Sequence, residues 1–556
     1  MKVRAAISFI LALTFVLALA APGALASEAI YINGTAQPGT LDGLWAIGSG
    51  GRGQLSGGGQ YVMTADGLAQ LGGGPGLVEP EGDPEPLEVT GRLDLEYDKV
   101  RVALYYYDGE SSVRNSTLEY ANLENEVGSG YSLGYYDDDR EFHALAYTDE
   151  TAITMVMDRN TETPGGTVGC YHVLLPGYYD SFEEALEVAG AYSGGFVGYY
   201  DGDFRALYGN YYSANEAANA AYSSGGEAYT ASSRCVVVTR TSDARILFEF
   251  DCGDDYSLAV EPRSTRGDAL TWFKGYTYRG GFEYSRQTGG KLTVINVVDI
   301  EDYVKGVLPY EMSDGWPAEA LKAQAMCART YVASHFDSLP GYNCDVTNDT
   351  YSQVYRGTNA SSGSTDAAVE ATAGLYITSG GRLIDAMYCS SNGGATENSE
   401  NVMANAVSYL RGKIDPYEAA AGNVNSYSEW TRTLTGSQLA SAVNQQGYAL
   451  SEVTDIELKR SETGNVIGIT LSDPDGRRAS FERGSCYSFV TGSLGLNSIR
   501  FELSENGSRF TFTGSGWGHS LGMSQYGAYA MAKSYGFTFD QIINFYFTGV
   551  ELSRGV

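Results

Sequence analysis

Three residues in "YEMSDGWPAEALKAQAMCARTY", residues 310–331, have types and spacing that suit acid–base chemistry. Glu311 is a carboxylate at the end of an extended run, just ahead of a helix. Lys322 and Arg329 lie seven residues apart on that helix, so two cations share one edge of it. A carboxyl partly buried beside Val307, Leu308 and Met312 has its pKa pushed up. Glu311 could then donate a proton near neutral pH and take one back as a carboxylate. The plainer alternatives are a helix-flanking acid and a solvated charged face, the usual place of Lys and Arg on a helix.

These residues are positioned by a run from residue 271, "TWFKGYTYRGGFEYSRQTGGKLTVINVVDIEDYVKGVLPYEM", whose alternation of apolar and polar residues predicts β-structure leading into Glu311. Pro317, suited to a first helical position, predicts the start of the helix, with Leu321, Ala325, Ala328 and Val332 as its buried stripe. In "GSGWGHSLGMSQYGAYAMA", Gly514, Gly516, Gly518 and Gly522 fall at near-alternate positions, which lets backbone approach a ligand closely. His519 there is either a proton carrier or a hydrogen-bonding scaffold residue and is ranked as a substrate or structural contact.

The string "VINVVDIEDYVKGVLPYEMSDGWPAEALKAQAMCARTYV" resembles the SpoIID/LytB family of sporulation and cell-wall proteins. The similarity continues in order through "DVTNDTYSQVYRG", "YCSSNGGATENSE", "GSGWGHSLGMSQYGAYAMA" and "FDQIINFYFTGVEL", about residues 271–553. The resemblance implies a lytic transglycosylase that cuts between N-acetylmuramic acid and N-acetylglucosamine and leaves a 1,6-anhydro sugar. Glu311 matches the family's catalytic acid, and Lys322 and Arg329 its functionally important basic residues. One carboxylate suffices for such a reaction, because the sugar's own C6 hydroxyl replaces the water or enzyme nucleophile of ordinary glycosidases. Lys322 and Arg329 are expected to hold acetamido and lactyl groups; close to Glu311 they would lower its pKa. Gln525 and Tyr526 carry donors suited to sugar hydroxyls, and Gln353, Tyr355, Ser390 and Ser391 stand on loops of the kind that line glycan clefts. LytB-type relatives are described as amidase enhancers, so the alternative function is a glycan-binding protein that activates a cell-wall amidase. Some relatives hold zinc in the block that reads "YCSSNGGATE" here. Cys389 has no histidine nearby, and His143, His172, His335 and His519 show no metal-ligand spacing with cysteines, so neither metal nor cofactor is expected.

Upstream, residues 1–26 read as a secretory signal cleaved near Ala26, with an uncleaved anchor as the rival reading. Residues 27–86 are rich in Gly and Pro and read as flexible, and 87–165 as a small β-rich unit. Residues 169–230 repeat a strand, a turn and an Ala-rich helix; the order β-α-β-β-α-β suggests a ferredoxin-like sandwich and resembles the SPOR domain, whose family binds glycan stripped of stem peptides. Its Tyr178, Tyr179, Tyr211 and Tyr212 either pack or stack on sugar. Residues 231–556 form the SpoIID/LytB domain, so the fold class is α+β and multidomain. A hairpin in one register would set Cys235 opposite Cys252 at disulfide distance; the alternative is two free thiols. The net charge of −32 over 556 residues excludes nucleic acid as a partner, since phosphate binding needs clustered cations. The expected partners are peptidoglycan glycan strands and, under the alternative function, a cell-wall amidase or other cell-wall hydrolase, for a secreted or envelope protein with no stable membrane insertion after cleavage.

Overall fold

In the strand Lys99–Tyr105, Val100, Val102 and Leu104 point into the largest apolar core and Ala103 into a smaller one behind it. That two-residue alternation, repeated strand after strand, builds the centre of the molecule. The computed structural model describes residues 82–556 apart from 107–116, 126–127, 266–268 and 287–289, plus four short strands further upstream. The expected signal segment lies outside the described residues. The segment expected to be flexible includes two antiparallel pairs, Ile30–Ile32 with Thr35–Gln37 and Gln60–Thr64 with Gly67–Leu71. The chain divides into two units, Met1–Gly57 and Gly58–Val556. Among the described residues no helix is long and apolar enough to cross a membrane.

In the second unit a seven-stranded sheet runs Val346–Thr347, Lys99–Tyr105, Thr293–Asp299, Gly281–Ser285, Leu258–Pro262, Tyr131–Tyr136, Phe142–Thr148. A ten-stranded sheet shares the same core through Leu123, Met155, Val238 and Phe248. The sheets cross the boundaries expected at 165 and 230: Ala152–Met157 pairs with Val236–Arg240, and Lys99–Tyr105 with Thr293–Asp299. Boundaries are read from local composition, which carries no signal of pairing between strands far apart in sequence.

The expected β-α-β-β-α-β order occurs at one end of the ten-stranded sheet. Its strands lie side by side as Glu227–Tyr229, Tyr171–Leu174, Asp203–Tyr211, Gly195–Tyr200, with antiparallel neighbours throughout. Helices α1 (Phe182–Ala189) and α2 (Ala214–Ala221) start at Ser181 and Ser213, each accepting from the backbone N–H three residues on; only Ser213 completes the reciprocal box with its glutamate. Gly195–Tyr200 continues in parallel to Ile246–Asp251, which joins this end to the larger sheet. Tyr178 and Tyr212 are exposed, with Arg205 lying 4.1 Å over the Tyr178 ring, whereas Tyr179 and Tyr211 pack on the sheet.

The hairpin bearing Cys235 and Cys252 forms, but in a register that pairs Val236 with Phe250. Both cysteines are free and buried, Cys235 in one core and Cys252 in another. A register one residue away from the expected one turns the two side chains to opposite faces of the sheet, so no disulfide forms.

The extended run expected to reach Glu311 ends at Asp299. Asp299 accepts from the backbone of Glu301 and Asp302 and starts helix α3 (Ile300–Glu311), so Glu311 is the last residue of a helix. Pro309 lies within α3 and cannot donate to the Lys305 carbonyl; Ser361 Oγ donates to it instead, at 3.4 Å. Pro317 precedes the first helical residue of α4 (Ala318–Ala333) as its N-cap. Gly306 lets the Tyr355 ring lie against α3: a Cβ there would stand 2.4 Å from Tyr355 Cε2. Gly306→Ala is therefore expected to cost about 1–3 kcal/mol of stability, read as a lower denaturation midpoint.

Downstream, a second core under residues 430–512 packs helix Gly436–Asn444 on two three-stranded sheets. A four-stranded sheet runs Arg382–Leu383, Leu375–Ser379, Glu551–Gly555, Val89–Leu93, the last added in parallel as its edge. Just before it, Leu87 N donates to Asp540 and the carbonyls of Pro84 and Glu85 accept from Gln541 and Asn544.

Candidate active site

Three segments converge on Glu311. The backbone N–H of Val354 donates to Oε1 at 3.4 Å and Gln525 Nε2 to Oε2 at 3.1 Å; the Tyr388 hydroxyl is a third partner. A short parallel pairing, Tyr388 with Met523 and Cys389 with Ser524, places Tyr388 beside Gln525. Ser524 then accepts from Gly527 N and so starts the helix Gln525–Ala530. The carboxyl is partly buried, and burial holds its pKa above the ordinary value of 4.5; the hydrogen bonds from Gln525, Val354 and Tyr388 oppose that rise. Its place at the C-terminal end of α3 acts the same way as burial, since the negative pole of a helix disfavours a second negative charge. Gln324, fully buried on α4, accepts from Gln525 at 3.4 Å, and its own Nε2 has no hydrogen-bond partner, which leaves a spare donor beside the acid.

The other expected site residues divide by position. Gln525 touches Glu311 and Tyr526 follows it, its N–H donating to the Ser390 carbonyl at 3.1 Å. Gln353 is one step back: it accepts from Tyr303 and donates to the Tyr388 hydroxyl at 3.1 Å. Burial pushes the pKa of His519 down to about 4 and its Nδ1 accepts from Leu521 N, so near neutral pH it is an uncharged scaffold residue. Lys322 does not face the acid as a free cation: Nζ lies 2.7 Å from Glu319 Oε1 and over the Phe539 ring. Arg329 is fully buried and spends its guanidinium on Glu301 at 2.9 and 2.6 Å, Thr372, and the carbonyls of Val369 and Leu375. The helical face shared by the two cations thus leads to two different protein partners. Tyr355 is also interior, stacked on Tyr303 with its hydroxyl donating to Asn296 at 2.7 Å, and Ser391 donates to a buried glutamate, Glu418.

Residues 288–378 match the SpoIID family, described as Stage II sporulation protein. Stage II sporulation protein D of Bacillus subtilis (strain 168) is 31% identical over 277 residues, 46% of this chain and 75% of that protein. The chain belongs to the SpoIID family. An Amidase enhancer of the same organism is 33% identical over 297 residues, 45% of this chain and 40% of that protein. An uncharacterised protein of Brachyspira hyodysenteriae is 34% identical over 269 residues, 47% of this chain and 68% of that protein. The SpoIID match contains Glu311, Gln324 and Val354, while Tyr388 and Gln525 come from beyond its end.

One further feature of this SpoIID chain went unread in the sequence. Glu418 is fully buried and accepts from Ser391 Oγ, Ser524 Oγ, Asn425 Nδ2 and the backbone N–H of Asn392 and Gly393. Burial, and then the charge of Asp415, push its pKa up to about 7. This one side chain ties together the loop after Tyr388, the turn around residue 425 and the start of the helix bearing Gln525. The paired acids in "DPYEAAAGNVN" were its only trace in the sequence, and two acids three residues apart are common on solvated surfaces. Tyr388 stood at the head of a block already singled out, but its position beside Gln525 depends on a pairing between residues 388–389 and 523–524.

Proposed function

We propose that this chain is an exported lytic transglycosylase of peptidoglycan, with Glu311 as its single acid–base group. Membership in the SpoIID family supports a role at the cell wall. The observation that carries the chemistry is a partly buried carboxyl at a helix C-terminus whose hydrogen-bond partners are all neutral. Such a group stays protonated to higher pH than an ordinary glutamate. As acid, Glu311 gives its proton to the glycosidic oxygen while the bond from that oxygen to C1 of N-acetylmuramic acid breaks. As carboxylate, it takes the proton of the C6 hydroxyl while that oxygen bonds to C1. Glu311 ends the cycle protonated and no water is consumed. Gln525, Val354 N–H and Tyr388 hold the carboxyl in place for both steps. Export rests on the pattern of residues 1–26, and glycan capture by the 171–229 unit rests on its β-α-β-β-α-β order and exposed Tyr178 and Tyr212.

The test is the mass of the products from denuded glycan strands. Fragments lighter by one water than hydrolysis gives are expected; fragments of hydrolytic mass would overturn the proposal. Intact strands that bind the protein tightly would favour the second reading, an activator of a cell-wall amidase, to which the relative named Amidase enhancer points.

A further inference from the structure

A row of aromatic rings adjoins the candidate acid. Trp517, 46% exposed, lies 4.8 Å from Tyr427; Tyr427 lies 6.2 Å from Tyr526, and Tyr526 5.2 Å from Trp316. Tyr526, inside the row, directly follows Gln525, the amide that donates to Glu311, so the row passes beside the acid's own partner. Neighbouring rings are tilted by 35°, 68° and 49°, and none lies flat on the next. No ring is therefore stacked face to face on its neighbour in the row, and Tyr529 packs on Trp316 from outside it, at 5.1 Å and 59°.

The backbone fixes the outermost ring. Trp517 exchanges both backbone hydrogen bonds with Ser391, at 2.8 and 3.2 Å, and Trp430 Nε1 donates to the Gly516 carbonyl at 3.1 Å. Gly516 and Gly518 flank it with φ of +91° and +114°; a Cβ at either would come within 2.9 Å of Ser391 O or Cys389 Cβ. Two glycines in a conformation that side chains rarely adopt thus hold an indole out toward water. Tryptophan is highly buried on average, and leaving its ring in solvent forfeits a large burial term. Rigid aromatics with hydroxyl or N–H edges suit a ligand that is apolar on its faces and polar at its rim, as a pyranose is.

Resting on the reading of Glu311 as the acid, we infer that Trp517, Tyr427, Tyr526 and Trp316 form a stacking row for consecutive sugars of one glycan strand. The site then grips the interior of a long strand rather than its terminal disaccharide.

The test uses Trp517→Ala and Tyr427→Ala in the full chain, each also combined with Glu311→Gln so that binding is read without turnover. Co-sedimentation with long denuded glycan strands is expected to weaken at least tenfold. In the active chain KM should rise more than kcat falls, and the loss should be smaller on a glycan tetrasaccharide than on long strands. Melting temperatures check that both variants fold, and Trp517→Phe should restore most of the binding. Unchanged strand binding in both folded variants overturns the inference. So does loss of a purified cell-wall amidase with strand binding intact, which would make the row a protein-docking surface. If wild type yields no anhydro product while Trp517→Ala still loses the strands, the acid reading fails and the stacking row stands.

Discussion

Glu311→Gln is expected to lower anhydro-sugar formation by about 10²–10⁴-fold, the usual contribution of a positioned acid–base group. Glutamine keeps the shape of the side chain, and its single carbonyl oxygen can still accept from one of the two donors, Val354 N or Gln525 Nε2, so the fold and strand binding should survive. The pH profile gives a second, independent reading. The working form in the first step is the protonated acid, so activity falls as pH rises through the pKa of Glu311. Burial holds that pKa above 4.5, and the alkaline limb should lie correspondingly above the ordinary carboxylate range. The Gln525 hydrogen bond lowers the pKa, so Gln525→Ala should move the limb to higher pH, even as loss of positioning lowers the maximum. An alkaline limb unmoved by Gln525→Ala would separate Glu311 from the titration.

Arg329→Ala is expected to cost about 3 kcal/mol of stability, the low end for breaking a buried ion pair because the Glu301 side chain keeps 24% exposure. The guanidinium joins three elements at once: Glu301 in the first turn of α3, Val369 and Thr372 at the end of the helix Gly363–Ala371, and Leu375 at the start of the strand Leu375–Ser379. A lysine cannot reproduce that fork, so Arg329→Lys should recover little of the loss. Thermal unfolding measures both variants, and glycan binding by the folded protein well below the melting point should match wild type. A variant of normal stability with weakened binding would return Arg329 to the substrate.

The blocks that mark the family were legible because each is local: a turn, a helix start or a glycine-rich loop. Their assembly was less so. Ile300–Glu311 reads as a continuation of β-structure because it follows a β-branched run and contains Pro309. Its buried residues Ile300, Tyr303, Val304, Val307 and Leu308 nonetheless keep helical spacing, and Asp299 offers a cap. Gln525 was chosen for its donors, and the structure sets those donors on Glu311 itself. Arg329, matched to a basic residue of the family, and Ser391, chosen as a polar loop residue, turn inward, because neither residue type nor a local block tells a ligand contact from a buried strut. The partners Tyr388 and Glu418 depend on contacts between distant segments, which a single sequence does not display.

The pairing of Val89–Leu93 with Glu551–Gly555, and of Leu87 N with Asp540 across 453 residues, sets a timetable for folding. That edge of the four-stranded sheet cannot close until Glu551–Gly555 has been synthesised, and contacts so remote in sequence are slow to form. A chain sent through a membrane as it is made would therefore cross with this seam open and fasten it only on the far side.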